Sequence, residues 1–180
     1  LCRDKIFQFG DAIAIVAAET EEQARAAAEA VKVDIEELPA YMNAIDAMAP
    51  DAIEIHPGTP NVFFETNCIK GGDFDWDSIP DSQQVEIESY CSRQPHLHLE
   101  PDCGYAYIDE DGMLTIHSKS IGIHLHMPMI AGGIGVPMEK LRMIQNHAGG
   151  TFGYKFSPTN EAILGAAALI CKRLSLIHIS

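Results

Sequence analysis

Two histidine pairs and one glycine-rich run carry the residue types that could do chemistry. His96, His98 and Glu100 alternate with Leu97 and Leu99. On a strand the two imidazoles and the carboxylate would share one face, as in a strand-borne metal site. The plainer reading is a row of hydrogen-bonded, half-buried side chains. His124 and His126 fall in a helical stretch, where positions two apart point to different faces, so they make a poorer ligand pair. The run Gly149-Gly150-Thr151-Phe152-Gly153-Tyr154-Lys155-Phe156 has neither the Gly-Lys-Ser/Thr of a P-loop nor the G-x-G-x-x-G of a dinucleotide turn. Its glycines permit close backbone approach to a flat or anionic ligand, or simply a tight turn before a helix. Asp73, Asp75, Asp77 and Asp81 read as solvated surface, because a calcium loop needs Gly at its sixth position and Glu at its twelfth. No Ser/His/Asp array follows from residue order.

These side chains depend on the elements that hold them. Residues 12–18 form a continuous apolar run, the signal of a buried strand. Thr20 offers an N-cap with Gln23 as its capping-box partner, and Glu21 and Glu22 suit the positive end of the helix that follows. Residues 24–30 are nearly all alanine and charge. Val31, Val33 and Ile35 then alternate with charged residues up to Pro39, which completes a βαβ rhythm. Residues 40–82 are punctuated by Pro50, Pro57, Gly58, Pro60, Gly71, Gly72 and Pro80 and read as an irregular connection. Alternation predicts strands at 85–90 and 96–100. Residues 105–108 and 113–117 form a hairpin around Glu110-Asp111-Gly112. A helix is predicted over 121–130, stopped by Gly132, Gly133 and Gly135. Pro137 then opens a short helical turn before a strand at 141–144. Ser157 caps a last helix, with Pro158 at its first position, that runs to about Cys171.

The chain has 180 residues, of which 47% are apolar and 21% charged. That length is enough to bury roughly 70% of the unfolded surface without disulfides or a metal staple. The 12 basic and 26 acidic residues give a net charge of −14, which opposes binding to nucleic acid or to an anionic membrane. The longest clean apolar run, 162–171, is too short to span a bilayer. No basic start precedes an apolar core, so no signal peptide is expected, and a start at Leu1 suggests a missing N-terminus. Cys2, Cys68, Cys91, Cys103 and Cys171 have no C-x-x-C spacing and read as reduced thiols of a cytoplasmic protein.

Four segments go further. QFGDAIAIVAAETEEQARAAAEAVKVDIEELP at 8–39, RQPHLHLEP at 93–101, residues 120–137 and GGTFGYKF at 149–156 stand in order and spacing. They resemble, in turn, the end of an α/β hammerhead domain, a Q-x-H-x-x-x-E segment, a T-Q-G-x-H helix running to G-V-P, and a G-G-G-F-G-G-K-E loop. Together they resemble the molybdenum-binding part of the xanthine dehydrogenase and aldehyde oxidoreductase family, and are most similar to its anaerobic bacterial aldehyde oxidoreductases. The resemblance implies an α+β fold. Residues 1–55 would be the C-terminal part of the hammerhead and 56–82 a connecting segment. Residues 83–173 would be the N-terminal part of the cofactor domain, and 174–180 a non-native tail.

It also implies a molybdopterin cofactor in its cytosine dinucleotide form. Iron–sulfur clusters of the 2Fe-2S type would lie in a missing N-terminal region, and FAD on another region or subunit. Electrons from the oxidation of an aldehyde with water-derived oxygen would leave through the clusters. Gly150, Thr151, Phe152 and Gly153 match the loop facing the molybdenum, and Gly122 matches the glycine of T-Q-G on the other side. Ile121 replaces a glutamine of many relatives and removes a side-chain donor. Phe156 stands where purine hydroxylases have glutamate, and an apolar wall suits an aldehyde's hydrocarbon tail. The His96/Glu100 pair then reads as scaffold, with no metal of its own. The catalytic glutamate has no match and is expected downstream. The expected partners are the remaining domains or subunits of a homodimeric enzyme. The alternatives are a purine or heterocycle hydroxylase of the same family and a non-catalytic acidic binding or scaffold module.

Overall fold

The structure is a computed structural model that describes every residue except Ile69, Asp73, Phe74, Ile179 and Ser180. Asp73 of the acidic run and the last two residues of the expected tail therefore lie outside the described residues. Two compact units are present, one formed by Leu1–Ala14 with Val31–Ser92, the other by Ile15–Ala30 with Arg93–Ser180.

The first unit is mostly irregular, and none of its described residues is buried. It contains helix α2 (Ala44–Ala47), capped by the Asn43 side chain on the Asp46 N–H. Asn61 ties the surrounding loops by accepting from the Ile55 N–H and donating to the carbonyls of Ala47 and Ile53. The strands expected at 31–36 and 85–90 do not form, and neither does the one at 12–18, which continues into the second unit. Val33, Ile35, Val85 and Ile87 stand exposed. Alternation supplies a two-faced ribbon, but a strand also needs a neighbour for its backbone groups, and none pairs with these segments among the described residues.

The second unit holds the core. Helix α1 (Glu21–Glu29) begins as expected, with the Thr20 hydroxyl accepting from the Gln23 N–H. Strands β1 (Cys103–Ile108) and β2 (Leu114–Ser118) form the expected hairpin in the register Tyr105↔His117 and Ile108↔Leu114. Asp109 shapes the turn by accepting from the N–H groups of Asp111 and Met113. Helix α3 (Ile123–Ile134) crosses over to β3 (Leu141–Gln145), which runs parallel to β2. Strand β4 (Ser175–His178) pairs antiparallel with β1, giving the sheet order β3-β2-β1-β4. Helix α4 (Glu161–Cys171) packs on β1 and β2, with α3 beside it. Ala106, Leu114, Ile116, Ile130, Leu141, Leu164 and Ala168 fill the space between. α4 lies close to the sheet because β1 offers no bulk at Gly104. A Cβ there would fall 2.6 Å from the His117 carbonyl oxygen and 2.9 Å from Leu164 Cδ1.

Two helix boundaries differ from expectation. α3 starts at Ile123, runs through Gly132 and Gly133, and ends only at Gly135, which is left-handed at φ 72°. Glycine costs a helix about 1 kcal/mol relative to alanine, and the burial of Ile130 and Ala131 against the sheet outweighs it. α4 starts at Glu161 rather than next to Ser157, because Thr159 is held by Asp102 and by the Glu161 carboxylate and Ser157 stays extended. No helix among the described residues is long and apolar enough to cross a membrane.

Candidate functional site

The glycine-rich run forms an exposed loop with an unusual backbone. Gly150, Phe152 and Gly153 all have positive φ, at 99°, 47° and 99°. For Phe152 this left-handed conformation costs about 1–2 kcal/mol, so the surrounding structure must impose it. The Tyr154 N–H closes a tight turn onto the Thr151 carbonyl at 2.9 Å, and Tyr154–Phe156 then makes a single 3₁₀ turn with the Phe156 N–H on the Gly153 carbonyl at 3.3 Å. The Gly153 N–H turns in toward Thr151 Oγ1. Among the described residues, the N–H groups of Gly150, Thr151 and Phe152 make no hydrogen bond. Successive amides in such a turn form a concave donor set suited to an anionic or oxygen-rich group. The rings of Phe152 and Phe156 are both exposed beside it.

Glu100 fixes the base of the loop. Its carboxylate accepts from the Gly149 N–H at 2.8 Å and pairs with Lys119 at 2.7 Å and Lys155 at 2.9 Å. A Cβ on Gly149 would lie 2.6 Å from Glu100 Cβ, so only glycine permits this approach. Burial disfavours the Glu100 charge, yet the hydrogen bonds from Lys119, Gly149 and Lys155 outweigh it and hold the carboxyl at about 2. Lys155 is itself buried at 2% exposure, so the loop carries its own ammonium down onto this carboxylate.

The expected row of His96, His98 and Glu100 on one strand face is not formed. Residues 96–100 are not a strand, and Leu97 turns the chain with φ 45°. Glu100 is spent on the loop, and both imidazoles rest against Tyr154, with ring centroids 5.5 and 5.4 Å away. Burial pushes the Tyr154 phenol above its usual range, helped by the charges of Asp102 and Glu161.

Gly122 sits just ahead of α3 and already uses its backbone groups. Its N–H donates to Ser120 Oγ at 3.1 Å, and its carbonyl accepts from Leu125 and His126. The space that a side chain would take here faces His126 and Leu125. Ile121 is half-buried beside it. Gly150, Thr151, Phe152, Gly153 and Phe156 lie on one short loop, and Gly122 is tied to it through Ser120 and His126. That imidazole bridges Ser120 Oγ and the Phe156 carbonyl, each at 2.6 Å.

The sequence reading missed the groups underneath. Ser118 donates to Glu161 at 2.5 Å and accepts from the Ser120 N–H, and Thr159 donates to Asp102. Burial pushes the Asp102 carboxyl above its usual range, and the nearby Glu161 charge adds to the effect. The available signal was local: Lys155 lies between two aromatic residues, and His126 lies in an apolar helix.

Residues 55–177 match the family model described as the molybdopterin cofactor-binding domain. The chain is 55% identical over 173 residues to an aldehyde oxidoreductase of Megalodesulfovibrio gigas, covering 96% of this chain and 19% of that protein. It is 34% identical to the large molybdopterin subunit of a nicotinate dehydrogenase from Eubacterium barkeri, covering 86% of this chain and 36% of that one. Among solved structures, the Desulfovibrio gigas aldehyde oxidoreductase superposes with a TM-score of 0.91 at 53% identity, over 100% of this chain and 20% of that one. This chain thus spans about a fifth of the length of the aldehyde oxidoreductases it matches.

Proposed function

The chain belongs to the molybdopterin cofactor-binding domain family of the xanthine dehydrogenases and aldehyde oxidoreductases, and from that premise we propose that it is part of a molybdenum hydroxylase that oxidises aldehydes to carboxylic acids. Phe156 carries the aldehyde reading. It puts an exposed phenyl ring beside the open amides of the loop. That ring cannot hydrogen-bond a heterocycle and would leave each purine polar atom unpaired at about 1–3 kcal/mol. It can cover the hydrocarbon tail of an aldehyde.

The residues present fit the cofactor. The free N–H groups of Gly150, Thr151 and Phe152 suit its oxygen acceptors, Gly153 keeps the approach open, and Gly122 would line the other side, its missing Cβ leaving space for His126. When bound, the molybdenum cofactor supplies a two-electron oxidation in which water provides the added oxygen. The chain's own part is to bind, to orient and to wall off one side of the substrate. The base glutamate is assigned to polypeptide outside this chain.

The proposal extends to the cytosine dinucleotide form of the cofactor, 2Fe-2S clusters and FAD on other regions or subunits, a homodimer and a cytoplasmic location. It also keeps the division at residues 55 and 82 between hammerhead, connection and cofactor domain, and 174–180 as a non-native tail even though Ser175–His178 pairs with β1 and the family match runs to residue 177. The test uses the full-length gene product, its molybdenum content and its turnover of aldehydes and purines with a dye acceptor. Phe156→Glu should keep the molybdenum and lower kcat/KM for aldehydes about tenfold or more. Unchanged aldehyde kinetics would remove Phe156 from the pocket. Efficient purine turnover by the unaltered enzyme would replace the aldehyde reading.

A further inference from the structure

His126 is fully buried at 0% exposure, on the first turn of α3, and both ring nitrogens are engaged. The Phe156 carbonyl can only accept, so Nε2 carries the proton on that side. Nδ1 faces the Ser120 hydroxyl, which therefore donates to it. The Ser120 hydroxyl, while donating to the ring, accepts from the Gly122 N–H. Behind it, the Ser120 N–H donates to Ser118 Oγ, and Ser118 donates to the Glu161 carboxylate. Both ends of this network only accept, and the donations run outward from Ser120: its N–H toward Ser118 and the Glu161 carboxylate, its hydroxyl through His126 to the Phe156 carbonyl.

The placement matters because two segments meet at the ring. A Cβ on Gly122 would lie 3.7 Å from His126 Nε2, so the imidazole sits directly beneath the Gly122 turn. On its other side it holds the last residue of the 3₁₀ turn, while Lys155 and the Gly149 N–H are held by Glu100. The loop is thus pinned at Gly149 and Lys155 by Glu100 and at the Phe156 carbonyl by His126, which is the contact made directly to the residue that carries the exposed ring.

We propose that His126 is a positioning residue that ties the Gly122 turn to the glycine-rich loop and sets the stance of Phe156, and through it the size of aldehyde accepted. This rests on the aldehyde oxidoreductase reading above. A flat ring with a donor and an acceptor at opposite corners bridges the two oxygens, and few side chains span both. Glutamine can place its amide near Nε2 and keep the donor to Phe156, whereas asparagine reaches only the Ser120 side.

The experiment compares His126→Gln and His126→Asn in the full-length gene product. Hydrogen exchange of the peptide covering 150–157, molybdenum per chain, and kcat/KM for acetaldehyde and benzaldehyde are measured for each. In His126→Asn, exchange at Tyr154 and Phe156 should rise about tenfold or more and the benzaldehyde-to-acetaldehyde ratio should shift about tenfold, with molybdenum retained. His126→Gln should stay within about twofold of the unaltered enzyme on both readouts. Ser120→Ala, which removes the hydroxyl that donates to Nδ1, should fall between them. The proposal is overturned if His126→Asn exchanges and discriminates like the unaltered enzyme. It is equally overturned if Gln and Asn lose molybdenum and fold alike, since the histidine is then only a core filler. An unaltered enzyme that holds no molybdenum and oxidises no aldehyde would sink the functional reading instead, and the exchange comparison would still decide the role of His126 in the loop.

Discussion

Glu100→Gln removes one negative charge from between two ammonium groups and changes almost nothing in size. The partners are Lys119, at 17% side-chain exposure, and Lys155, at 1%, with Glu100 itself at 21%. Breaking a buried pair by removing one partner costs about 3–5 kcal/mol. Glu100 touches solvent on one side, so about 2–3 kcal/mol is expected here. Lys155→Met keeps the packing of the stem and leaves Glu100 with Lys119, and should cost about 1 kcal/mol. The double variant should be less destabilised than the sum by about 1–2 kcal/mol, because the buried ammonium that makes the first change expensive is gone. The assay is amide exchange across 149–156 in the full-length gene product, where each 1.4 kcal/mol of local opening appears as about a tenfold change. Strict additivity would refute the clamp. A pH series adds an independent arm. The Glu100 carboxyl is held at about 2 instead of the ordinary 4.5. Its contribution is therefore present in full above about 4.5 and is lost as the pH falls from there toward 2. After solvent screening it amounts to about 1–2 kcal/mol. Protection of the loop that does not fall over that window would contradict the pairing.

Further outcomes follow from the same geometry. Gly153→Ala meets nothing closer than His96 Nε2 at 3.8 Å, so its cost is backbone strain alone, about 1–2 kcal/mol. It should lower molybdenum content while leaving the melting of the rest unchanged. Gly149→Ala collides with Glu100 and should reproduce the exchange phenotype of Glu100→Gln without altering its charge. Gly104→Ala pushes into the His117 carbonyl and Leu164, and a drop of about 1–3 kcal/mol in thermal stability is expected. Asp102→Asn keeps an acceptor for Thr159 and removes a carboxylate whose ionisation burial disfavours. Because that carboxyl is raised, the variant should match the parent in acid and gain in melting temperature as the pH rises through the carboxylate range. A gain only in acid would contradict the assignment.

Features set by neighbouring residues were legible in the sequence. The Thr20 cap and the Asp109–Gly112 turn form as their residue types require, since each bond spans only a few positions. The positive φ of Gly150 and Gly153 follows the same logic. The segments at 31–36, 85–90 and 96–100 alternate as well as β2 does, yet only β2 is a strand. Periodicity states which faces a ribbon would have, and a partner decides whether it exists. α4 shows the reverse, because tertiary bonds to Asp102 override a good local cap at Ser157.

The candidate site divides along the same line. Residue types and order determined the loop, its glycines, the apolar choice at Phe156 and the family, because these are properties of contiguous sequence. Tertiary structure alone decided what holds the loop. Glu100 meets Lys155 across 55 residues, and His126 meets the Phe156 carbonyl across 30. It also turned His96 and His98 from a ligand row into a rest for Tyr154. A carboxylate, a lysine and an imidazole acquire a role only when folding removes water and chooses their partners. That choice depends on packing between distant segments, which no local spacing encodes.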